Sequence, residues 1–586
     1  MARMNGFPQN LILYSQQVFT GSKAVKHLNL SVLRKVFSLM GKKEKIAFFL
    51  LLALALGSLG LSVSNFYLRH THLAPSLGGS YTEGLKGQPL YLNPVLAYQE
   101  PDTSLVKLVF SGLYKFNSEG TLISDLADGM PVVSQDQKQY TINLKRNVKW
   151  HNGHAFNADD VVFTINLIKD PAYKSPQRPM WLSTSVEKIS DYQVKFTLKD
   201  VSGPFLYNLT LPILPEQIWK KIDASSFHLS ENNLNAIGTG PYAIRAVEKL
   251  KSGKIQSISL EPFADYYQEK AKIRELNLRF YDSEDDLNNA LRSGEIQGFG
   301  YTPLGSDQNL GQGNNSLQKF SLPIPQYEMV FFNLGNKTLA DQNVRIALSK
   351  SVDRSKIISE FFGNMAILPQ TPSLKKEDTK KTIEQPAYSP EEAKSLLEKN
   401  GWTADPATKL LSKKGFKNEL TLATNDFSIN AKTAQYLAKQ WEDLGFKINL
   451  VILPTKQLTE EVLRPRNFDI LLFPQKLGPD PDPFLFWHSS QIKDPGLNLT
   501  GFNSPQADKL ATESRTTTDV ALRTQKYQEL YSLLEDKLPA LFLAQTEYVY
   551  LIDKQVRGVN LSVLYEPSQR FYSLPSWYIT EGRTWK

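Results

Sequence analysis

Two aspartates on a proline-rich loop are the most distinctive candidates for chemistry in this sequence. Asp480 and Asp482 stand in the segment 478–484, which reads G-P-D-P-D-P-F. Paired carboxyls can serve as the acid and base of a hydrolase when they lie about 5–10 Å apart across a substrate bond. Residues two apart on one stiff loop rarely converge in that way. This spacing therefore favours three roles over catalysis: ligand recognition, contact between two lobes of the protein, or a structural capping turn.

Two other motifs formally suggest a cofactor or a metal, and both have simpler interpretations. Residues 238–243 match a dinucleotide-binding pattern, but that pattern must open a helix, and residues 242–247 alternate as a strand does. His151 and His154 flank an Asn-Gly pair, which is typical of a polar turn, and no H-E-x-x-H motif or cysteine accompanies them. We therefore predict no cofactor and no metal site.

Composition and charge exclude several classes of protein. The chain has 586 residues, of which 41% are hydrophobic and 22% charged, and it has no cysteine. Such a chain is globular, with neither disulfides nor a lipid-modified cysteine. The net charge of +8 is concentrated in residues 1–45, which carry +7. Because the remaining residues are almost neutral, we expect no nucleic-acid partner.

A membrane anchor is predicted next to this basic segment. Residues 46–68 contain no charge and are bounded by Lys45 and Arg69. At about 1.5 Å per residue they span a bilayer core of about 30 Å, and the basic flank would stay in the cytoplasm. A cleaved signal peptide is the alternative, with a small-x-small site at 62–64, although the apolar stretch exceeds a usual signal core of about 7–15 residues. Residues 69–79 would form a short tether.

The residues after the predicted tether fall into regions with different sequence patterns. Residues 80–235 read mainly as short strands, such as 140–145 and 193–198, with one helix at 158–168. Three successive segments have strand, helix and strand periodicity, which predicts a β-α-β unit with parallel strands. They are 420–424, 434–444 and 446–452. Residues 283–296 show a similar helix-to-strand pattern, and a further helix should start at Pro390. Long loops are predicted at 303–318 and 371–388.

The aspartate loop follows a predicted buried strand, 468–473. In open α/β sheets, ligands bind beyond the carboxyl ends of strands. Prolines stiffen the loop, and Phe484 and Trp487 add apolar area. This position makes the segment the leading candidate for a ligand site.

Several short patterns occur in a characteristic order. They are G-G-S-Y-T-E-G at 78–84, L-N-P at 92–94, L-V-F-S-G-L-Y at 108–114, W-H-N-G at 150–153, F-N-A-D-D-V at 156–161, G-T-G-P-Y at 238–242, V-R-I-A-L-S at 344–349 with D-R at 353–354, and D-P-D at 480–482. As an ordered set they resemble the bacterial extracellular solute-binding proteins of family 5, which bind oligopeptides, dipeptides or nickel for ABC importers. The resemblance covers roughly residues 78–586.

The resemblance implies an α/β fold of the periplasmic-binding-protein type (type II, cluster C). It would be a bilobal clamshell with an extra β-rich subdomain, preceded here by one N-terminal transmembrane helix. Lobe 1 would comprise 80–118, 235–282 and 546–586, with the β-rich subdomain at 119–234, and lobe 2 would be 283–545. Residues 1–45 would be a basic cytoplasmic segment, and the bulk of the chain would be extracytoplasmic.

In the peptide binders of this family an extended ligand pairs its backbone with strands of both lobes. Carried onto this sequence, the second-lobe strand would be 471–475. The resulting candidate ligand-binding residues are Glu83, Tyr114, Asn333, Phe473, Pro474, Gln475, Asp480, Asp482, Phe484 and Trp487, and no catalytic residue is expected. The family usually places an aspartate just after that strand to hold the peptide's amino group, and here this position falls near Leu477. The missing lipid-anchor cysteine is a second departure.

The favoured function is therefore capture of peptides for an ABC importer. The expected partners are a peptide ligand, the permease subunits and the membrane, and the protein is expected to be a monomer. A membrane-anchored extracytoplasmic hydrolase and a ligand sensor with the same fold are the alternatives.

Overall fold

The computed structural model describes residues 30–301, 316–369 and 385–585. The chain divides into two compact units. One contains the described residues up to Ala74 together with those from Glu581, and the other runs from Pro75 to Thr580. Most of the basic segment 1–45 and most of the predicted loops 303–318 and 371–388 lie outside the described residues.

The strands of the described chain are numbered in the order of the sequence. They are β1 Thr71–Ser76, β2 Ser80–Lys86, β3 Tyr114–Phe116, β4 Leu122–Ser124, β5 Val132–Val133, β6 Gln139–Asn143, β7 Thr184–Ser190, β8 Gln193–Leu198, β9 Tyr242–Lys249, β10 Ile255–Pro262, β11 Glu275–Tyr281, β12 Gly298–Tyr301, β13 Leu317–Phe332, β14 Ala366–Ile367, β15 Thr403–Ala404, β16 Leu411–Ser412, β17 Glu419–Asn425, β18 Lys447–Leu453, β19 Ile470–Lys476, β20 Ala540–Asp553 and β21 Thr580–Trp585.

The α-helices of the described chain are numbered in the same way. They are α1 Leu30–Leu39, α2 Lys42–His70, α3 Glu100–Val109, α4 Ala158–Lys169, α5 Arg178–Trp181, α6 Phe205–Asn208, α7 Glu216–Trp219, α8 Ala224–Phe227, α9 Glu284–Ser293, α10 Lys337–Ala340, α11 Gln342–Lys350, α12 Arg354–Glu360, α13 Pro390–Lys399, α14 Ser428–Leu444, α15 Thr455–Leu458, α16 Phe484–Trp487, α17 Pro505–Thr516 and α18 Val520–Lys537.

The first unit is built around the long helix α2. This helix includes the whole uncharged stretch 46–68, and none of its residues is buried. By length and composition it could cross a membrane, a test that a signal sequence near the N-terminus also passes. The helix extends the predicted anchor by four residues at its start and two at its end, because lysine, glutamate and arginine are good helix formers and continue it beyond the uncharged stretch.

The predicted tether 69–79 has regular structure. Helix α2 continues to His70, and residues 71–76 form β1, which pairs with β21 in a two-stranded sheet. The prediction of a simple tether was wrong at these residues. The strand could not be foreseen because its partner lies about 500 positions away in the sequence.

A large mixed sheet organises the unit Pro75–Thr580. Among the described residues it has 11 strands, in the order β18-β17-β19-β13-β20-β12-β2-β11-β10-β9, with β14 paired to β20. The strands β13 and β20 run antiparallel over most of their length, from Leu317 opposite Asp553 to Phe331 opposite Ala540. These two long strands therefore connect the parts of the sheet on either side of them.

Separate hydrophobic cores lie on the two sides of this connection. The first core gathers α3, β2, β9–β11 and the β-rich region, and we call this part the first half of the unit. In the second half, α11, α13 and α14 cover one face of β13, β17 and β19, while α17 and α18 cover the other face. Each half therefore buries its own apolar residues.

The β-rich region contains a four-stranded sheet, β5-β6-β8-β7, as the alternating sequence predicted. Helix α4 packs beside it and begins where predicted, because Asn157 accepts the backbone N–H of Asp159 and Asp160 reciprocates in a capping box. The predicted strands at 140–145 and 193–198 are confirmed as β6 and β8.

The predicted β-α-β unit is confirmed in the second half. Strands β17 and β18 pair in parallel, with α14 between them in the chain. Gly445 ends α14 with a φ of 108°, a left-handed conformation that glycine adopts at little cost. Pro390 starts α13, as predicted, after Ser389 caps it.

Residues 283–301 lie in a different place from the one predicted. Helix α9 is capped by Ser283 and closed by Gly294, as expected. However, β12 pairs with β2 and with the part of β20 around Leu551, so this segment joins the first half rather than lobe 2. A helix-to-strand pattern specifies the local unit but not the strand beside which it docks.

Candidate ligand-binding cleft

A cavity of about 550 Å³ lies between the two halves of the unit Pro75–Thr580. Helix α3 and the β-rich region line it from the first half. The end of β19, the aspartate loop and α17 line it from the second half. The lining residues with chemistry relevant to a ligand are Lys107, Trp181, Phe205, Lys476, Asp480, Asp482, Arg515 and Glu566.

Asp480 is engaged by two groups of α18. Its carboxylate lies 3.1 Å from the guanidinium of Arg523, and each of the two side chains is only 6% exposed. The hydroxyl of Tyr527 donates to the other carboxylate oxygen at 2.5 Å. Burial and the neighbouring Asp480 raise the pKa of Tyr527, so its phenol remains protonated and can donate. These contacts hold the loop against α18 and compensate the charge of Asp480.

Asp482 caps a turn and also pairs with a second cation. It accepts the backbone N–H of Phe484 at 3.1 Å and lies 3.4 Å from Arg515. Burial raises the pKa of Asp482 to about 6 in spite of Arg515. The guanidinium of Arg515 also sits 4.6 Å from the centre of the Phe484 ring, a cation–π contact.

A third compensated carboxylate lies in the wall of the first half. Lys107 places its ammonium 3.3 Å from Glu566 and donates to the Tyr572 hydroxyl at 2.7 Å. Although burial opposes ionisation, Lys107 and then Lys476 hold the pKa of Glu566 below its ordinary value. Lys476 belongs to the second half and is exposed at the cavity. Lys476 is therefore a cation at the cavity, and Glu566 of the opposite wall partly balances its charge.

The remaining wall is largely apolar. Trp181 and Phe205 are buried and meet edge-to-face with ring centres 6.2 Å apart. Proline, leucine and tyrosine side chains extend this surface. A mixture of apolar area and a few fixed polar groups is typical of small-ligand sites, which commonly measure about 300–1,000 Å³.

The two halves also touch at the edge of the cavity. The backbone N–H of Gly203 donates to the carbonyl of Arg515 at 2.8 Å, and the hydroxyl of Thr518 donates to Gln137 at 3.0 Å. A Cβ on Gly203 would lie 2.4 Å from the carbonyl oxygen of Thr517. The β-rich region and the turn between α17 and α18 are therefore in close contact.

The structure brings the aspartate loop, but not every candidate residue, to this cavity. Phe473 and Pro474 are half-buried on β19. Gln475 is buried, and its Oε1 has no hydrogen-bond partner among the described residues. Phe484 is half-buried and stacks on His488, whereas Trp487 is buried in the core of the second half.

Three other candidates lie in three separate places. Glu83 is fully buried on β2, where it pairs with Arg570 at 2.9 Å and accepts the Tyr550 hydroxyl at 2.8 Å. Tyr114 donates to the Gly129 carbonyl at 3.1 Å and lines a small cavity of about 20 Å³. Asn333 lines a groove of about 670 Å³ on the second half.

The two formal motifs form the predicted turns. Residues 238–240 form a tight turn before β9, where a Cβ on Gly238 would lie 1.8 Å from the carbonyl oxygen of Val109. His151 has ring contacts with the Gly240 carbonyl at 3.0 Å and the Gly238 N–H at 3.3 Å. Burial lowers the pKa of His151 to about 4. The described residues contain no group of three potential metal-ligating side chains.

Sequence reasoning missed the cations of the cleft. Arg515 and Arg523 lie on the amphipathic helices α17 and α18, where charged residues ordinarily face solvent. Lys107 lies in the last turn of α3, where a basic residue is common, and gives no local signal of burial. Arg515 and Arg523 lie 33 and 43 positions after the aspartates that they pair with. The residues around the aspartate loop therefore do not reveal these cations.

Comparison with known proteins defines the class. The family described as "Bacterial extracellular solute-binding proteins, family 5 Middle" matches residues 121–494, so the chain belongs to this family. Its mixed α/β sheet agrees with that assignment.

Individual relatives are named for peptides. The chain is 25% identical to the oligopeptide-binding protein AppA of Bacillus subtilis, over 92% of this chain and 100% of that protein. It is 25% identical to di/tripeptide-binding protein 1 of Pseudomonas aeruginosa, over 81% of this chain and 91% of that one. The solved structure of Bacillus subtilis AppA with a nonapeptide has 26% identity and a TM-score of 0.67, covering 86% of this chain and 100% of AppA.

A second solved structure has a metal complex as its ligand. NikZ from Campylobacter jejuni, in complex with Ni(L-His), matches with a TM-score of 0.68 and 24% identity, covering 85% of this chain and 99% of NikZ. This likeness concerns the fold alone.

Proposed function

We propose that this protein is a membrane-anchored, extracytoplasmic substrate-binding protein that captures peptides for an ABC importer. The observation that carries the proposal is the cavity of about 550 Å³ lined from both halves of a family 5 chain. Relatives that match almost their whole length are named as peptide-binding proteins, which supports a peptide as the ligand.

Capture would proceed by hinge closure. Two lobes would turn about the long pair β13 and β20, and the ligand would favour the closed form because it contacts both walls. In this proposal lobe 1 includes residues 283–301, and lobe 2 begins on β13. The close contacts of Gly203 with the second half support a closed arrangement of the two walls.

The charges of the cleft suggest which end of a peptide is recognised. The carboxylates of Asp480, Asp482 and Glu566 each have a cation of the protein within 3.4 Å. A ligand amine would therefore compete with an existing ion pair. Lys476 is exposed at the cavity and is the better candidate for holding a ligand carboxylate.

The end of β19 would contribute less specific contacts. There the peptide backbone would bond to the strand beside Lys476, which lines the cavity. Water in the remaining space would tolerate varied side chains.

Calorimetry with the full-length protein in nanodiscs tests the proposal. Peptides should bind and raise the unfolding midpoint by mass action. Scattering should then show a smaller radius of gyration in the bound state. Binding with turnover of the peptide would support a hydrolase instead, and failure of a broad peptide library to bind would contradict peptide capture.

Lys476→Met tests the recognition of a ligand carboxylate. Binding of peptides with a free carboxyl end should weaken by roughly 1.5–3 kcal/mol, the range for a hydrogen bond to a charged group. Peptides with an amidated end should be unaffected. Equal weakening of both peptide series would argue against this role.

A further inference from the structure

An exposed aromatic cluster lies at one end of the apolar helix α2. Trp585 on β21 contacts Tyr67 edge-to-face, with ring centres 5.9 Å apart, and Phe66 at 6.3 Å. Trp585, Tyr67 and Phe66 are 63%, 41% and 56% exposed, respectively. We call Phe66, Tyr67 and Trp585 the aromatic collar.

The chain holds the collar together through several contacts. β1 follows α2 directly and pairs with β21, so residues about 500 positions apart are held side by side. Arg583 donates to the Thr71 hydroxyl at 3.1 Å, and the Thr71 hydroxyl donates to the Tyr67 carbonyl at 2.6 Å. The Trp585 ring is therefore positioned by the sheet.

The position of the collar along α2 matches the thickness of a bilayer. From Ile46, the first residue of the uncharged stretch, to Tyr67 the helix rises about 32 Å at ~1.5 Å per residue. The hydrocarbon core measures about 30 Å. If Ile46 lies at the cytoplasmic boundary, Tyr67 reaches the opposite headgroup region. Trp and Tyr rings favour that region because an apolar body and a polar edge are both accommodated there.

We propose that the aromatic collar is a lipid-binding surface that seats in the outer headgroup layer of the membrane. Arg69 and Arg583 flank the rings, and their long side chains can reach lipid phosphates. Trp585 would thus add a membrane contact supplied by the last strand to the one supplied by the helix. The inference rests on the proposed anchoring by α2 and extends it to β21.

The absence of cysteine makes a depth measurement direct, since one introduced cysteine gives one label. Full-length Thr584→Cys carries an environment-sensitive fluorophore next to an intact Trp585. Leu54→Cys, in the middle of the apolar stretch, reports on the anchor itself. Each variant is placed in phosphatidylcholine nanodiscs that contain spin labels either on the headgroup or deep in the acyl chain.

Headgroup spin labels should reduce the emission of the Thr584→Cys probe to about half, and deep labels should quench it less. Deep labels should quench the Leu54→Cys probe more strongly than headgroup labels. Adding Trp585→Ala to Thr584→Cys should restore most of the emission, whereas adding Leu229→Ala, an exposed leucine of the other unit, should not.

The outcomes distinguish membrane anchoring by α2 from membrane contact by the aromatic collar. An unquenched Thr584→Cys probe beside a deeply quenched Leu54→Cys probe would overturn the collar and leave the anchor standing. Two unquenched probes would remove the anchor and the collar together. Quenching that depends on protein concentration rather than on labelled lipid would identify a second copy of the chain as the occupant and would also overturn the proposal.

Discussion

The carboxylate of Asp480 is placed between a guanidinium and a phenol of the same helix. Such a buried pair contributes little net stability over an apolar replacement, but loss of one partner leaves the other charge uncompensated. The sequence alone left ligand recognition and turn capping equally open for this residue. Its contacts with Arg523 and Tyr527 favour the structural role.

Asp480→Asn should therefore lower stability rather than affinity. We expect the free energy of unfolding to fall by roughly 3 kcal/mol, because Arg523 would remain buried without its counter-ion. Chemical denaturation and calorimetry on the same variant give both quantities. Asp200→Asn, an exposed carboxylate lining the same cavity, should leave stability unchanged. A loss of affinity at unaltered stability would instead return Asp480 to the ligand site.

Glu328 is a second residue whose environment the sequence does not reveal. It lies on β13 opposite Pro474 and Ala544, and it is 2% exposed. Its Oε2 has no hydrogen-bond partner among the described residues. Burial raises the pKa of Glu328 to about 7 from its ordinary value of 4.5.

This raised pKa should make stability fall with rising pH. Below pH 4.5 Glu328 is protonated in both states, and between 4.5 and about 7 only the unfolded state loses the proton. The contribution of the protonated group is thus present below pH 4.5 and lost as the pH rises through about 7. In the unsubstituted protein, this group should lower the free energy of unfolding by roughly 2–3 kcal/mol between pH 5 and 8. Glu328→Gln should abolish this loss, which denaturation at each pH would measure.

The matched control is Glu261→Gln, an exposed position on β10. It should leave the pH profile of stability unchanged. An unaltered profile in Glu328→Gln would show that this carboxyl does not titrate in the interval.

At the scale of elements, glycines that end helices differ in what surrounds them. Gly445 ends α14 and Gly294 ends α9, and both have a positive φ. A Cβ on Gly445 would lie 2.8 Å from Leu411 and 2.9 Å from the Lys409 carbonyl oxygen, whereas a Cβ on Gly294 would meet nothing within 4 Å. The first helix end is therefore packed against a neighbouring segment.

Alanine at the two positions should separate backbone strain from packing. Gly294→Ala should cost about 1 kcal/mol, the strain of a left-handed alanine. Gly445→Ala should cost at least about 2 kcal/mol, because a steric clash adds to the same strain. Equal losses in denaturant unfolding would contradict close packing at Gly445.

At the scale of the whole molecule, the approach of Gly203 to the second half should be needed for closure. A Cβ there would lie 2.4 Å from the Thr517 carbonyl oxygen and 2.5 Å from Arg523. Gly203→Ala should weaken ligand binding by about tenfold, because overpacking of ~1–3 kcal/mol falls on the closed form alone. Scattering at saturating ligand should show a larger radius of gyration than the unsubstituted protein.

Gly253→Ala is the control for a general loss of stability. This glycine has a φ of 86° in the turn between β9 and β10, and a Cβ there would meet nothing within 4 Å. The variant should lose stability through strain and keep its affinity. Normal affinity in Gly203→Ala would show that the two halves need not meet at this point.

The sequence by itself determined the features that depend on neighbouring residues. The uncharged stretch 46–68 specified one continuous helix, and the periodicity of 420–452 specified a parallel β-α-β unit. Ser283, Ser389 and Gly445 marked helix ends because caps act within one turn. The ordered short patterns also indicated the family, which the matched residues 121–494 then showed.

Tertiary structure alone decided which distant residues meet. The pairing of β1 with β21, the docking of β12 beside β2, and the ion pair of Asp480 with Arg523 all join segments far apart in the chain. Periodicity indicates that a face will be buried, but it does not indicate what will bury it. A charged residue on an amphipathic helix looks the same whether water or a carboxylate lies opposite. The cations of the cleft were therefore visible in the sequence only as ordinary surface charges.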